Sequence, residues 1–239
     1  MSRFMEIEAI FNQVFATLAK FIGHRTCFLC HQSSHELVCK CCLFESVLPL
    51  FPVPGHNLLD YPKVAENIVT PAFESLIVLG EYEGVLKGLI NQLKFSRQTL
   101  AAEVLVALFS HYLGARLSIK QQIPDAVVPI PLSNIRHINR QFNQSRLLSQ
   151  ALAKSFGIVS YDLLERTRYT KQQSRLNKED RQHNIQNAFA IKGLYDFESI
   201  AIVDDVITTG ATVNEACLVI QEAYPDAHVN VWCMAATMR

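Results

Sequence analysis

Apolar residues along this chain follow two rhythms, and the change from one to the other marks out its elements. Phe4, Ile7, Phe11, Val14, Phe15, Leu18 and Ile22 recur at helical spacing, with Glu6, Glu8, Asn12 and Gln13 between them. This predicts an amphipathic helix over residues 1–25, and its interrupted apolar face is unlike the continuous core of a signal peptide. Residues 47–71 lose periodicity and carry prolines at 49, 52, 54, 62 and 71, so residues 47–74 read as an irregular connector that wraps or spaces two modules. Strand and helix patterns then alternate. Residues 75–79 read as a strand, residues 83–94 as a helix with Val85, Leu86, Leu89, Ile90 and Leu93 on one face, and residues 100–117 as a second helix. Residues 126–131 read as a strand closed by proline, 142–156 as a helix, 200–203 as a β-branched buried strand, 213–223 as a helix and 228–236 as the closing strand. Such alternation predicts an α/β fold over residues 75–239, a mainly parallel sheet with helices on both faces.

The chemistry concentrates after the strand at 200–203. Two carboxylates, Asp204 and Asp205, follow at once, and then Thr208, Thr209, Gly210, Ala211 and Thr212 lead into a helix. Ligands of open α/β sheets sit beyond the carboxyl ends of strands, and a helix N-terminus offers free N–H groups and a partial positive charge to an anion. Gly210 allows the backbone to come close to a ligand. The carboxylates suit ribose hydroxyls, and the threonines suit a phosphate. A buried strand, an acidic loop and a threonine cap would explain single residues here but not their order.

Between the first helix and the connector, Cys27 and Cys30 make one C-x2-C pair and, after an eight-residue spacer, Cys39 and Cys42 make a second. Two such knuckles complete a tetrahedral zinc site, and residues 26–46 are too few to bury a core, so the metal would supply the folding energy of this ribbon. Cys41 can replace Cys39 or Cys42 in that register, and His24, His31 and His35 are nearby substitutes. Free core thiols are the plainer alternative. Cys217 and Cys233 lie far away and read as core residues.

Composition adds limits. The 239 residues carry 22 basic and 22 acidic side chains, so bulk attraction to nucleic acid or membrane is not the signature. Residues 133–183, however, hold ten basic side chains against four acidic ones, enough local charge to meet a polyanion. Arg136, Arg140, Arg166, Arg168 and Arg175 are the candidate anion partners, since arginine forks match phosphate geometry. They serve a diphosphate and a DNA strand equally well. Phe142, Tyr161, Tyr169 and Trp232 form no stacking platform legible in sequence. No run is long and apolar enough for a membrane span, and a cytoplasmic location is expected.

The motif at 204–212 resembles the PRPP-binding signature of the type I phosphoribosyltransferases. Two further runs, VPIPLSNIRHINRQFNQSRLLSQALA and LLERTRYTKQQSRLNKEDRQHNIQNAFAI, together with the cysteine pairs, are similar to the ComF family. The resemblance covers the chain from Cys27 to Met234. It implies a zinc-ribbon head on a phosphoribosyltransferase fold, with a role in natural competence, the uptake and handling of single-stranded transforming DNA. By this resemblance Asp204 and Asp205 hold the ribose hydroxyls, and Thr208, Thr209, Gly210, Ala211 and Thr212 cradle the 5′-phosphate. Pro129, Ile130, Pro131, Leu132 and Ser133 form the pyrophosphate loop, and residues 166–181 a mobile flap. Lys94 is a further anion-binding candidate by this resemblance, since it corresponds to a family lysine that often has a glycine beside it, whereas this chain reads Lys94-Phe95-Ser96-Arg97. On residue type alone Lys94 reads as a solvated helix end.

The implied ligand is PRPP or a related phosphoribosyl compound. Mg²⁺ would be held largely by its diphosphate, its hydroxyls and water. Competence machinery and single-stranded DNA are the implied partners. Two alternatives stand beside this reading: a genuine phosphoribosyltransferase acting on PRPP and an unidentified base or amine, and a non-catalytic regulator that senses PRPP. No base pocket and no catalytic residue is legible in the sequence.

Overall fold

A computed structural model describes residues 26–45, 57–61, 64, 68, 71–95, 99–114, 123–132, 142–168 and 184–237. The chain divides into two compact units, Met1–Ser46 and Val47–Arg239. The amphipathic helix expected before residue 26 lies outside the described residues.

The described part of the first unit, residues 26–45, is short. A single bridge joins Thr26 to Ser33, His31 takes a left-handed φ of 60° in the turn between them, and a short helix, α1 (Lys40–Glu45), follows.

The second unit is built on a five-stranded sheet. Its strands are β1 (Ser75–Glu81), β2 (Ala126–Pro129), β3 (Val159–Ser160), β6 (Ser199–Ile207) and β7 (His228–Ala236), in the order β1-β7-β6-β2-β3. All four pairings are parallel. Helices α2 (Gly84–Phe95) and α3 (Thr99–Gly114) lie between β1 and β2, α4 (Gln144–Phe156) between β2 and β3, and α5 (Ala211–Ala223) between β6 and β7. A separate antiparallel pair joins β4 (Leu164–Arg166) to β5 (Phe189–Ile191). Most of the expected flap, residues 169–181, lies outside the described residues.

Side chains of a strand alternate between faces, and here both faces are buried. Val229, Val231 and Cys233 of β7 pack in one core with Val213, Ala216, Cys217 and Ile220 of α5. Trp232, between them in sequence, faces the other way, its ring 5.4 Å from that of Phe109 of α3 and 5.5 Å from that of Phe156 of α4. Leu58, Val64, Ile68 and Phe73 join the α5 core. The described part of the proline-rich connector therefore wraps the α/β body. Burying Trp232 and the leucines of α2 and α3 contributes roughly 2 kcal/mol for each large side chain. Cys217 and Cys233 are fully buried core residues, as their sequence positions predict.

Candidate functional site

Strand β6 is longer than its apolar pattern implies. Residues 200–203 read as the strand, with the acids after it; the ladder to β7 instead continues through Asp204↔Cys233 and Val206↔Ala235 to Ile207↔Ala236. On the other side the ladder to β2 stops at Pro129↔Val203. The acidic pair thus sits at the point where β6 keeps one neighbour and loses the other. The chain runs from β2 outward to β3 and from β6 outward to β7, so this is the switch point where open α/β sheets bind ligands.

Three elements converge there. The loop after β2 stays attached, since Ile130 N–H donates to the Val203 carbonyl at 3.1 Å. The start of α4 is fixed by Asn143, whose Oδ1 accepts from Ser145 N–H at 3.0 Å while its Nδ2 donates to the Ile130 carbonyl at 2.9 Å. Ser145 then reaches β6, its hydroxyl donating to Asp204 Oδ1 at 2.9 Å, and the Asp205 N–H donates to the same oxygen at 2.9 Å. From the last turn of α2, Lys94 Nζ meets Asp205 Oδ2 at 3.0 Å and lies 5.7 Å from the centre of the Tyr82 ring. The Lys94 side chain is only 17% exposed and so is not the solvated helix end that its residue type indicates. The reason is geometric: α2 ends within reach of β6, and the long side chain turns inward to an unbalanced carboxylate.

The two acids differ in their surroundings. Burial, followed by the neighbouring Asp205 charge, pushes the Asp204 carboxyl up to about 6. Bonds from Asp205 N–H and Ser145, and then the Lys94 charge, oppose that rise without cancelling it. Burial and the two carboxylates also hold the Cys233 thiol well above its ordinary value. Cys233 stays a protonated core group.

Past Ile207 the chain turns tightly into α5. Gly210 takes φ +74°, and a Cβ there would come within 3.1 Å of Ile68 Cγ2. Gly210 is also the N-cap of α5 and has no side chain of its own to cap the helix. The Thr209 hydroxyl is buried and, among the described residues, has no hydrogen-bond partner. Asn214, in the first turn of α5, accepts from Ala72 N–H at 2.6 Å and ties this turn to the connector.

The candidate arginines go to different places. Arg166 Nη1 donates to the Pro131 carbonyl at 3.4 Å and its guanidinium stands 5.2 Å from the centre of the Phe189 ring, so it borders the loop after β2. Arg168 donates from Nε to the Gln186 carbonyl at 2.8 Å and from Nη2 to the Asn184 carbonyl at 3.2 Å, just beyond the β4–β5 pair. Arg136, Arg140, Arg175 and Ser133 lie outside the described residues. The Tyr161 ring stacks on Tyr195 at 4.3 Å, and Phe197 and Tyr224 extend the group. Tyr224 Oη accepts from Tyr195 N–H at 3.0 Å, which makes this cluster a clamp on the segment before β6.

The cysteine pairs converge in the first unit. The sulfurs of Cys27, Cys30, Cys39 and Cys42 all lie within 4.8 Å of one another, with Cys30 and Cys39 at 3.8 Å. Sulfurs placed at zinc–thiolate bond lengths around a tetrahedral ion are separated by about 3.8 Å, so the donor set fits a metal such as zinc. Cys41 is exposed and outside the cluster, and neither His31 nor His35 belongs to it. Amide N–H groups point at the sulfurs, Cys39 N–H to Cys27 and Cys42 N–H to Cys39. Burial opposes ionisation of Cys27, but backbone bonds from Cys39, Cys30 and Leu29 outweigh it and bring the thiol down to about 6. Burial and the three other sulfurs push the Cys42 thiol up, and a bound cation is what favours the thiolate form in such a cluster.

No family model matches the sequence. Curated proteins do. Over 224 residues the chain is 34% identical to DNA utilization protein YhgH of Escherichia coli (strain K12), covering 89% of this chain and 97% of that protein. It is 30% identical over 224 residues to Competence protein F of Haemophilus influenzae, covering 87% and 96%. Competence protein ComFC of Streptococcus pneumoniae is 31% identical over 142 residues, or 59% of this chain and 60% of that one. Near-complete coverage at this identity, on a chain with an α/β unit and a four-cysteine cluster, establishes that it belongs to the ComF family.

Proposed function

We propose that the crevice at the C-terminal edge of β6 binds PRPP with Mg²⁺, and that the protein acts in DNA utilisation during natural competence. The observation that carries the ligand reading is the pairing of two acids with an open anion cradle on one strand-turn-helix unit. Asp204 Oδ1 is fully engaged, while among the described residues nothing bonds its Oδ2. Oδ2 is thus available to ribose hydroxyls, and the α5 N-terminus with the unpartnered Thr209 hydroxyl is available to the 5′-phosphate. Lys94 balances part of the acidic charge, which a polyanionic ligand would otherwise oppose. The diphosphate would lie toward Pro129, Ile130, Pro131 and Leu132, with Arg166 at its border, and Mg²⁺ would ride on the ligand's own oxygens.

The competence role is supported by the names of the relatives, Competence protein F and DNA utilization protein YhgH. Single-stranded DNA is the partner assigned to the basic residues, in a cytoplasmic setting; among the described residues no helix is long and apolar enough to cross a membrane. The four cysteines would hold a structural Zn²⁺, whose closed thiolate shell leaves no position for a substrate.

A thermal-shift panel of PRPP, ribose 5-phosphate and pyrophosphate, each with Mg²⁺, tests this reading. The largest shift is expected with PRPP, which alone fills both the hydroxyl and diphosphate positions. An equal shift with pyrophosphate, unaffected by Asp204→Asn, would assign the crevice to a plain anion. In a host competent for transformation, Asp204→Asn with Asp205→Asn should lower the yield of transformants; an unchanged yield would separate the crevice from DNA handling.

A further inference from the structure

The first turn of α4 carries a residue that neither the acidic motif nor the threonine turn includes. Serine near a helix start ordinarily bonds its own backbone. Here Asn143 supplies the cap, accepting from Ser145 N–H, and the Ser145 hydroxyl crosses to Asp204 on β6. Ser145 is only 3% exposed, so this bond is made away from competing water. It also closes a circuit. Val203 holds Ile130, Ile130 holds Asn143, Asn143 holds Ser145, and Ser145 holds Asp204, the residue next to Val203. The hydroxyl is therefore fixed relative to the strand by bonds that run through the backbone of the β2 loop, the Asn143 side chain and the first turn of α4.

We propose that Ser145 is a positioning residue for the acidic pair, its hydroxyl holding the Asp204 carboxylate aligned so that Oδ2 is left to the ligand. The assignment to a ligand rests on the PRPP reading above; the action on Asp204 does not. Two donors, Ser145 Oγ and Asp205 N–H, meet on Oδ1, which fixes the carboxylate plane. The other charged or titratable groups that bear on Asp204 are Asp205 on its own strand, Lys94 from α2 and the buried Cys233 thiol from β7. Burial and Asp205 favour the protonated form, Ser145 and Lys94 the ionised one. Removing a hydroxyl that donates to the carboxylate must shift this balance toward the proton. A protonated Asp204 is a weaker acceptor for sugar hydroxyls.

The test is a carbon-detected NMR titration of the aspartate carboxyls in the zinc-loaded full chain, with Asp204 identified by its loss in Asp204→Asn. Ser145→Ala is expected to raise the Asp204 midpoint by about one pH unit, Ser145→Cys to raise it in the same direction, and Ser145→Thr to restore it. In parallel, PRPP and Mg²⁺ affinity should fall about two-fold at pH 7 in Ser145→Ala, by about ten-fold near pH 5, and recover toward wild type at higher pH. A merely structural loss would not recover with pH. An Asp204 midpoint unchanged in both the Ala and Cys variants overturns the proposal. Absence of PRPP binding by wild type at every pH instead removes the ligand reading, and the titration still decides the role of Ser145.

Discussion

Lys94, Gly210 and Asp204 set the character of the crevice, each for a different physical reason. Lys94 is paired with Asp205 and largely buried with it. Lys94→Met should cost about 1–3 kcal/mol in urea denaturation at neutral pH, because it strands a carboxylate beside a second one. Lys94→Arg should recover part of the loss. A Met variant as stable as wild type would mean that solvent already balances the pair. At Gly210, the φ of +74° and the approach to Ile68 both disfavour a Cβ, so Gly210→Ala should lose about 1–3 kcal/mol. Shortening Ile68 to alanine in the same chain should relieve only the contact part of that loss. The Asp204 carboxyl is raised to about 6, so the folded state holds the proton more tightly than the unfolded chain does. Its contribution to stability is then greatest below about pH 4, the range of an unperturbed carboxyl, and is lost as pH rises through the folded value. A span of about 3 kcal/mol is expected. Asp204→Asn should flatten this segment of the pH–stability curve, and an unaltered slope would contradict the assignment.

Sequence and structure part company in those strands and helices whose contacts are long-range. The strand-turn-helix at 204–212 was legible because its order of apolar, acidic and hydroxyl residues is local, and because Gly210 satisfies a local backbone demand. The extension of β6 through Asp204 to Ile207 was not legible, since it depends on pairing with β7, and carboxylates carry little strand preference of their own. Neither Ser145 nor the inward turn of Lys94 had a sequence signal, because each is defined by what stands opposite on another element. The cysteine pairs were legible from spacing, but spacing left Cys41 as an alternative ligand. The structure excludes it by exposing Cys41 on α1 while Cys42 turns in to the cluster. Chelation of the metal should accordingly unfold residues 26–45 and leave the α/β unit folded, followed as loss of the thiolate absorption of the cobalt-substituted protein and retention of far-ultraviolet dichroism. Cys39→Ser should abolish stoichiometric metal binding and Cys41→Ser should not. Equal metal content in both variants would place the site elsewhere.

Across the α/β unit, a five-stranded parallel sheet gathers its polar exceptions at one edge. Asp204, Asp205, Ser145 and Lys94 are buried or nearly so beside a core otherwise rich in Val, Ile, Leu and Ala. Polar groups in such a position lower stability unless they serve a ligand or one another, and here the hydrogen-bond circuit offsets only part of the cost. Membership in the ComF family joins this chain to proteins named for competence and DNA utilisation. The measurement that bears most directly on the crevice is calorimetric titration of the zinc-loaded protein with PRPP and Mg²⁺, beside Asp204→Ala with Asp205→Ala. Saturable binding by wild type that disappears in a folded double variant is the expected result. A folded wild type that takes up no PRPP, or a double variant that binds it equally well, would contradict a phosphoribosyl ligand at β6.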